Sequence, residues 1–282
     1  MNKVVQLRVP CCYQGGKQRI ADQIVDKLLA VYRGDNENVH FYDMCCGSGA
    51  VTIELLNRGI KPKQITMLDA SSWGTFWKSL GEGSFDLSVF EKELCKIPKD
   101  KKLIKAYMKD LAGKAFRGDE RYVYPILQSC SFGGKQIWLS NGKWSNAYFR
   151  DYWEPTVASV RKSPANPMQP SPTTLYKRVE ELVDSCRGVT CLKENIMDFH
   201  SSEINGLSVV YVDPPYQGTT SYGFDFDLAK FIAAFRSGTN APLFVSEGVP
   251  LGDNSEELVF GGAKGGISGN KPKKHREWIT QL

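Results

Sequence analysis

The sequence predicts an α/β fold with a mostly parallel central sheet. Residues 209–212 (Val-Val-Tyr-Val) form a continuous apolar run, which is typical of a strand buried on both faces. Residues 39–43 resemble a second strand that leads into a glycine-rich turn at 43–49 and then a helix, the opening of a Rossmann-like unit. Further short strand patterns alternate with helical ones at residues 64–68, 189–192 and 242–246.

Length and composition are ordinary for a globular protein. The 282 residues suffice for one large domain or for one domain with an insertion, and 24% of them are charged. The net charge of +5 permits a polyanionic partner without requiring one. No apolar run approaches the roughly 20 residues that span a bilayer, and the first residues lack the apolar core of a signal peptide. We therefore expect a cytoplasmic protein without a membrane partner.

The cysteines and histidines lack the spacing of a metal site. Eight cysteines include two adjacent pairs, at 11–12 and 45–46, but there is no Cys-x-x-Cys and there are only three histidines. We therefore expect reduced cysteines and no bound metal.

The amino-terminal part predicts a loop followed by an amphipathic helix. Residues 13–17 read Tyr-Gln-Gly-Gly-Lys, and apolar residues then recur with helical spacing from Ile20 to Tyr32, with Gly34 as a stop. Two glycines before a helix expose N–H groups that can bind an anion, and Lys17 adds a positive charge. The residues alone favour the alternative, a flexible turn with a surface lysine.

The turn at 43–49 (Asp-Met-Cys-Cys-Gly-Ser-Gly) predicts a small-molecule site. It lacks the G-x-G-x-x-G of dinucleotide sites, so the small residues around Gly47 and Gly49 suit a ligand without a pyrophosphate. Asp43 suits a cationic or amino-bearing ligand, and S-adenosyl-L-methionine fits this description. Asp69 ends the next strand. It lies about 20 residues after the glycine-rich turn, where an acid is placed to hydrogen-bond ribose hydroxyls. The alternative for Asp69 is a helix cap or a turn aspartate.

Residues 72–175 interrupt the alternation of strands and helices. They predict an inserted domain, so that residues 1–71 and 176–282 form the catalytic domain. Within the insertion, apolar residues at helical spacing from Leu103 to Leu111 predict a helix, and Asn141-Gly142 between two apolar runs predicts a β-hairpin. Basic residues interleaved with aromatic ones suit contact with nucleic-acid phosphates and bases, although the rings also suit a small aromatic core. The candidate nucleic-acid contacts are Lys135, Asn141, Lys143, Trp144 and Arg150.

After the insertion, a proline-rich connector at 161–174 leads into a helix that Gly188 ends. Asp198 precedes the central strand and suits a hydrogen bond from the adenine amine of a cofactor, with a solvated turn as the alternative. A helix over 228–235 and a closing antiparallel hairpin follow. The glycine-rich loop at 261–275 suits either a solvated surface or contact with phosphates through Lys271, Lys273 and Lys274.

The central strand ends in the most specific motif of the chain, Asp-Pro-Pro-Tyr at 213–216. Pro214 has no N–H to donate, so regular pairing ends there and Asp213 lies at the carboxyl end of the strand, where open α/β sheets bind ligands. An isolated Asp-Pro-Pro would favour a capping aspartate before a stiff turn. The complete motif after Val-Val-Tyr-Val favours a catalytic role.

The order of the motifs resembles that of the DNA adenine methylase family, the N6-adenine methyltransferases of bacteria and phages. The segments that carry the resemblance are residues 15–17, 43–49, Asp69, the inserted hairpin, 213–216 and Lys-Lys-His-Arg-Glu-Trp-Ile at 273–279. The resemblance implies a Rossmann-like S-adenosyl-L-methionine-dependent methyltransferase fold, with a mostly parallel seven-stranded sheet, a terminal antiparallel hairpin and an inserted target-recognition domain. It implies that Tyr13, Lys17, Asp69 and Asp213 contact the cofactor. Tyr13 stands where the family often has tryptophan, and Cys45-Cys46 replace a Pro-Phe type pair.

The resemblance also implies the reaction, which is transfer of a methyl group from S-adenosyl-L-methionine to adenine N6 in double-stranded DNA after base flipping. Asp213 and the Pro214 carbonyl would accept the two amine hydrogens while Tyr216 stacks on the base. The open alternatives are methylation of cytosine N4 or RNA adenine, and a catalytically silent DNA-binding relative. Methylation of protein glutamine is disfavoured, because related enzymes usually have Asn in place of Asp213. We expect a monomer or weak dimer in the bacterial cytoplasm, encoded by host or phage.

Overall fold

A computed structural model describes residues 6–33, 35–204, 206–216, 226–259 and 276–282. Seven strands of the described ranges form one sheet and two form a separate hairpin. The sheet strands are β1 (His40–Met44), β2 (Ile65–Leu68), β5 (Thr190–Leu192), β6 (Ser208–Val212), β7 (Leu243–Glu247), β8 (Ser255–Leu258) and β9 (Glu277–Gln281). The hairpin strands are β3 (Trp138–Ser140) and β4 (Lys143–Ser145).

The sheet has the order β5-β2-β1-β6-β7-β9-β8. The first five strands pair in parallel, whereas β9 is antiparallel to both β7 and β8. This confirms the predicted mostly parallel seven-stranded sheet with a terminal antiparallel pair, and it is compatible with a Rossmann-like fold. The predicted central strand is confirmed as well, because every residue of β6 is buried between β1 and β7.

The described ranges contain eight α-helices. They are α1 (Ala21–Ala30), α2 (Ala50–Asn57), α3 (Ser72–Gly81), α4 (Leu87–Cys95), α5 (Lys101–Gly113), α6 (Glu120–Cys130), α7 (Pro172–Ser185) and α8 (Leu228–Gly238). The predicted helices α1, α2, α5, α7 and α8 are confirmed, while Gly34, the predicted stop of α1, lies outside the described residues. None of the described helices is both long enough and apolar enough to cross a bilayer.

Both faces of the sheet are buried, because alternate residues of β6 enter two different cores. Val209 and Tyr211 belong to a large cluster that includes residues of α1, α2 and α3. Val210 and Val212 belong to a smaller cluster that α8 covers. A strand buried in this way needs apolar side chains at successive positions, which is the pattern that the sequence shows.

The predicted hairpin is confirmed at β3 and β4. Its two turn residues have positive φ values, 50° for Asn141 and 72° for Gly142, as a two-residue hairpin turn of this kind requires. The 72–175 segment is mainly helical up to residue 130, and its buried hydrophobic residues join the large cluster on one face of the sheet. The predicted division into two domains therefore stays a prediction.

Helix α3 lies against the sheet with almost no space between the backbones. A Cβ atom added at Gly74 would lie 2.1 Å from the carbonyl oxygen of Asp69, and one added at Gly81 would lie 2.0 Å from that of Val189. Real Cβ atoms do not approach a carbonyl so closely, so only glycine fits at these two positions. The contact fixes the position of α3 against the ends of β2 and β5.

Candidate active site

Three neighbouring strands end in register at the edge where the candidate site lies. Met44, the last residue of β1, pairs with Leu68 of β2 and with Val212 of β6. The next residue of each strand therefore leaves the sheet at the same edge. Two of these residues, Asp69 and Asp213, are the acids that the sequence singles out.

A cavity of about 350 Å³ opens at this edge, a volume within the range of small-molecule sites. The glycine-rich turn forms part of its wall and the Asp-Pro-Pro-Tyr motif forms another part. The sequence-predicted residues that line it are Tyr13, Lys17, Asp43, Gly47, Asp69, Asp213, Pro214 and Tyr216.

Two other predicted cofactor residues do not line the cavity. Gly49 precedes α2 with φ of +74°, and a Cβ atom added there would lie 2.4 Å from the Trp77 ring, so its role is to let the turn approach α3. Asp198 is exposed to solvent, and the wall before it is formed by Asn195 and Ile196. The predicted contact of Asp198 with a ligand in this cavity therefore has no support in the geometry.

Side chains of the two strand ends hold the glycine-rich turn. Asp69 accepts a hydrogen bond from the Gly47 N–H at 2.8 Å and others from the N–H and hydroxyl of Ser71. Asp43 accepts from the N–H and hydroxyl of Thr52, at 3.0 and 2.7 Å, and so ties β1 to the first turn of α2. Asp69 therefore caps a turn, as the alternative states, while its predicted hydrogen bonds to ribose hydroxyls stay a prediction for a residue that lines the cavity.

Burial raises the pKa of both carboxyl groups. The pKa of Asp43 rises to about 7 because it is buried, although the hydrogen bonds from Thr52 oppose the rise. Burial likewise raises the pKa of Asp69, against the hydrogen bonds from Ser71 and Gly47. Since perturbed carboxyl groups concentrate at functional sites, this pair supports a ligand site rather than a purely structural turn.

The raised pKa of Asp43 predicts that stability falls as the pH rises. The pKa is about 7 in the folded chain and near its ordinary value of 3.8 when unfolded, so the folded state binds the proton more tightly. The stabilisation that the protonated Asp43 gives the folded state is fully present below about pH 4 and is lost as the pH rises through about 7. Urea unfolding should show that the free energy of unfolding falls less between pH 4 and pH 8 for Asp43→Asn than for the wild type. Equal losses in the two proteins would contradict the assignment.

Lys17 is buried at the centre of the site, so the flexible turn with a surface lysine is wrong. Its Nζ lies 2.6 Å from Asp213 Oδ1, 3.6 Å from Glu277 Oε1 and 2.8 Å from the carbonyl oxygen of Gly15. The ammonium also lies 5.1 Å from the centre of the Tyr216 ring, within the range of a cation–π contact. The hydroxyl of Tyr216 donates a hydrogen bond to Glu277 Oε1.

The two carboxyl groups beside Lys17 differ in their surroundings. Burial raises the pKa of Asp213, while Lys17 and the Tyr216 hydroxyl oppose the rise. Burial and the nearby Asp213 raise the pKa of Glu277 to about 7, against the effect of Lys17 and of Tyr216. The site thus holds one cation between two carboxyl groups that ionise less readily than usual.

The cysteines of the turn are not reactive nucleophiles. Burial raises the thiol pKa of both Cys45 and Cys46 well above its ordinary value, and neighbouring carboxylates add to the effect. A thiol in such surroundings stays protonated and behaves as a small apolar group. All eight cysteines of the chain are free.

The predicted nucleic-acid contacts differ in their exposure to solvent. Lys135, Asn141 and Lys143 are exposed, and Arg150 is half-buried with a hydrogen bond to Gln169 Oε1 at 2.8 Å. Trp144 was expected at a nucleic-acid surface, and that expectation is wrong. The predicted contacts Lys271, Lys273 and Lys274 lie outside the described residues.

Trp144 is a core residue of the inserted segment. Its ring is buried, stacks on Tyr124 with 6.1 Å between ring centres, and meets Phe116 edge-on. The sequence left an aromatic core open as the alternative, and for this residue the alternative holds. The hairpin therefore exposes Asn141 and Lys143 at its tip and buries Trp144.

Sequence reasoning missed several residues that line the cavity. Ser48 Oγ and Gln136 Oε1 are buried there without a hydrogen-bond partner among the described residues, so both are available to a ligand. Gln136 comes from the inserted segment, which therefore contributes directly to the cavity wall. Asn195, Ile196 and Phe226 are further lining residues that no motif indicated. Comparison with known proteins adds no identity, since no protein-family model and no curated protein matches the chain.

Proposed function

We propose that the protein is a site-specific DNA methyltransferase that uses S-adenosyl-L-methionine to methylate the N6 amino group of adenine in duplex DNA. The observation that carries the proposal is the shared cavity. The glycine-rich turn with Asp69 and the motif at 213–216 line the same space at the carboxyl edge of the sheet. Transfer between two molecules requires that the donor site and the acceptor site be continuous.

The donor set of the cavity suits S-adenosyl-L-methionine, which would supply a methyl group on a positively charged sulfur. Asp43 and Asp69 offer carboxylate oxygens to cationic groups and hydroxyls, and Ser48 offers a hydroxyl that has no partner in the described part of the chain. At Gly47, a Cβ atom would lie 2.9 Å from the Tyr13 ring, so a side chain there would narrow the space between turn and ring. The residues present therefore fit this cofactor.

The motif at 213–216 would hold the acceptor amine. An adenine amine is a weak nucleophile because its lone pair is delocalised into the ring. Asp213 and the Pro214 carbonyl would each accept one N–H, which favours a nitrogen whose lone pair points out of the plane. Tyr216 offers a ring for stacking, and Asp213 is the nearest carboxylate to take the proton that the amine loses.

The inserted segment supports a nucleic-acid partner. Its hairpin region is joined to the site, since the Gln14 N–H donates to the Gly134 carbonyl at 2.8 Å. Beside this junction, Phe132 and Tyr148 are 59% and 68% exposed, although both carry large aromatic rings. Exposed rings next to Lys135 suit contact with bases and phosphates.

The direct test is the transfer of labelled methyl groups from S-adenosyl-L-methionine to nucleic acid. We expect incorporation into unmethylated duplex DNA, with much less into RNA of the same sequence. Incorporation only into RNA would move the proposal to the RNA alternative. No incorporation into any nucleic acid, by a protein that unfolds cooperatively, would contradict it.

The acids of the cavity predict a pH-dependent affinity for the cofactor. A positively charged ligand favours the ionised form of carboxyl groups with raised pKa, such as Asp43 and Asp213. Binding should therefore release protons, and affinity should rise about tenfold between pH 5.5 and 7.5. S-adenosylhomocysteine lacks the charged sulfur and should show a smaller rise in calorimetry. A catalytically silent DNA-binding relative would bind neither ligand, and equal pH dependence of the two would contradict the electrostatic account.

A further inference from the structure

Glu277 is buried at the candidate site although it begins the last strand of the chain. The strand β9 is antiparallel to β7, and Trp278 of β9 pairs with Glu247, the last residue of β7. The amino end of β9 therefore lies at the same edge as the carboxyl ends of the parallel strands. This register brings Glu277 next to the loop that carries Lys17, 260 positions earlier in the chain, and next to Tyr216.

Lys17, Tyr216, Asp213 and Glu277 form a polar cluster at the site. Its two hydrogen-bond donors, Lys17 and Tyr216, lie between the carboxyl groups of Asp213 and Glu277. Lys17 Nζ is 2.6 Å from Asp213 Oδ1 and 3.6 Å from Glu277 Oε1. The Tyr216 hydroxyl donates to Glu277, and it is also near enough to Asp213 to oppose the rise that burial causes in the pKa of that carboxyl group. Both donors can therefore turn toward either acid.

Stability alone would not favour this arrangement. One carboxylate suffices to neutralise Lys17, whereas a second one adds buried negative charge, and a buried charge that is only partly compensated destabilises a fold. The raised pKa of Glu277, about 7, reflects that cost. Residues that carry such a cost are typical of functional sites.

We propose, on the basis of the proposed function, that Glu277 is a positioning residue. It holds the Tyr216 hydroxyl and shares the Lys17 ammonium, so that Asp213 keeps an oxygen available to the N–H of the target amine. Without Glu277, both donors turn to Asp213, the remaining carboxylate of the cluster. The hydrogen bond from the amine then competes with two internal donors, and the Tyr216 ring loses the contact that sets its plane.

Turnover measurements on three variants test this role. Glu277→Ala should lower kcat about 30-fold, with KM for S-adenosyl-L-methionine and DNA within about threefold of the wild type, because orientation rather than binding is lost. Glu277→Gln keeps an acceptor for the Tyr216 hydroxyl, so its kcat should stay within about fivefold. The matched control is Glu257→Ala on β8, an exposed glutamate 3.6 Å from Arg276, and it should leave kcat unchanged.

The decisive variant is the double substitution Glu277→Ala/Tyr216→Phe. It removes the hydroxyl that would otherwise occupy Asp213 but keeps a stacking ring. We expect the kcat of the double variant to be at least about threefold higher than that of Glu277→Ala. Such a gain requires that the two residues be coupled, because two independent losses would add to each other. The inference would be overturned if the loss of kcat in the double variant equals the product of the losses in the two single variants, or if Glu277→Ala has the kcat of the wild type.

A carboxyl titration followed by carbon-13 NMR tests Glu277 without any reaction. The groups that act on Asp213 or face it are Lys17, Tyr216, Glu277, Tyr211, Asp43 and Cys45. In Glu277→Ala, the pKa of Asp213, assigned with Asp213→Asn, should fall as Lys17 and Tyr216 turn to it. If the pKa of Asp213 falls in Glu277→Ala but the wild-type protein methylates nothing, the proposed function alone is contradicted. An active wild type without the shift contradicts the role of Glu277 alone.

Discussion

Replacing Asp213 by alanine is expected to slow methyl transfer at least about 1,000-fold. The substitution removes both the acceptor for the amine and the nearest partner of Lys17, which lies 2.6 Å away. Binding of DNA should change little, because the phosphate contacts proposed for the inserted segment and for Lys271, Lys273 and Lys274 do not involve Asp213. The measurement is single-turnover transfer of a labelled methyl group, with DNA affinity determined on the same preparation.

Two further variants make the Asp213 result interpretable. Asp213→Asn keeps the shape of the side chain but removes the charge, so it should also be strongly impaired. Asp184→Ala, an exposed aspartate on α7 outside the cavity, should have wild-type activity. Wild-type transfer by Asp213→Ala would refute its assignment, and a loss accompanied by a large drop in the melting temperature would show that its role is structural.

Replacing Gly74 by alanine is expected to give the largest loss of stability. The new Cβ would lie 2.1 Å from the carbonyl oxygen of Asp69, so α3 and the end of β2 must move apart. Overpacking against a backbone atom should cost about 3 kcal/mol or more, which lowers the melting temperature by roughly 5 °C or more in a chain of this size. Because Asp69 lines the cavity, affinity for S-adenosyl-L-methionine should fall as well.

The matched control for Gly74 is Gly113, the last residue of α5. A Cβ atom added there meets nothing within 4 Å, so Gly113→Ala should be neutral or slightly stabilising. Thermal unfolding followed by circular dichroism compares the two variants directly. A Gly74→Ala protein as stable as the wild type would show that α3 can shift freely, and the close approach of helix and sheet would then have no energetic consequence.

The sheet could be predicted from the sequence because its strands obey a simple rule. A strand buried on both faces needs an apolar run, and an acid after that run marks the carboxyl edge, as at Asp69 and Asp213. The helices α3, α4 and α6 were missed, although Ser71, Asp86 and Asp119 cap them through their side chains. Inside α6, Pro125 interrupts the pattern that the other helices show.

The rest of the site depends on tertiary contacts that no local pattern encodes. Glu277 reaches Lys17 only because β9 inserts between β7 and β8, and Gln136 reaches the cavity only because the inserted segment folds against residue 14. Trp144 shows the opposite error, since an aromatic residue beside a basic hairpin suits a core as well as a surface. Its partners, Tyr124 and Phe116, lie too far away in sequence to be anticipated.

The central claim is that one cavity brings a methyl donor to the amine of a DNA adenine. It is tested most directly by incubating unmethylated duplex DNA with the protein and S-adenosyl-L-methionine, digesting the DNA to nucleosides and identifying the products by mass spectrometry. The account predicts N6-methyldeoxyadenosine with the wild type and none with Asp213→Ala. Unmodified nucleosides, or N4-methyldeoxycytidine instead, would contradict it.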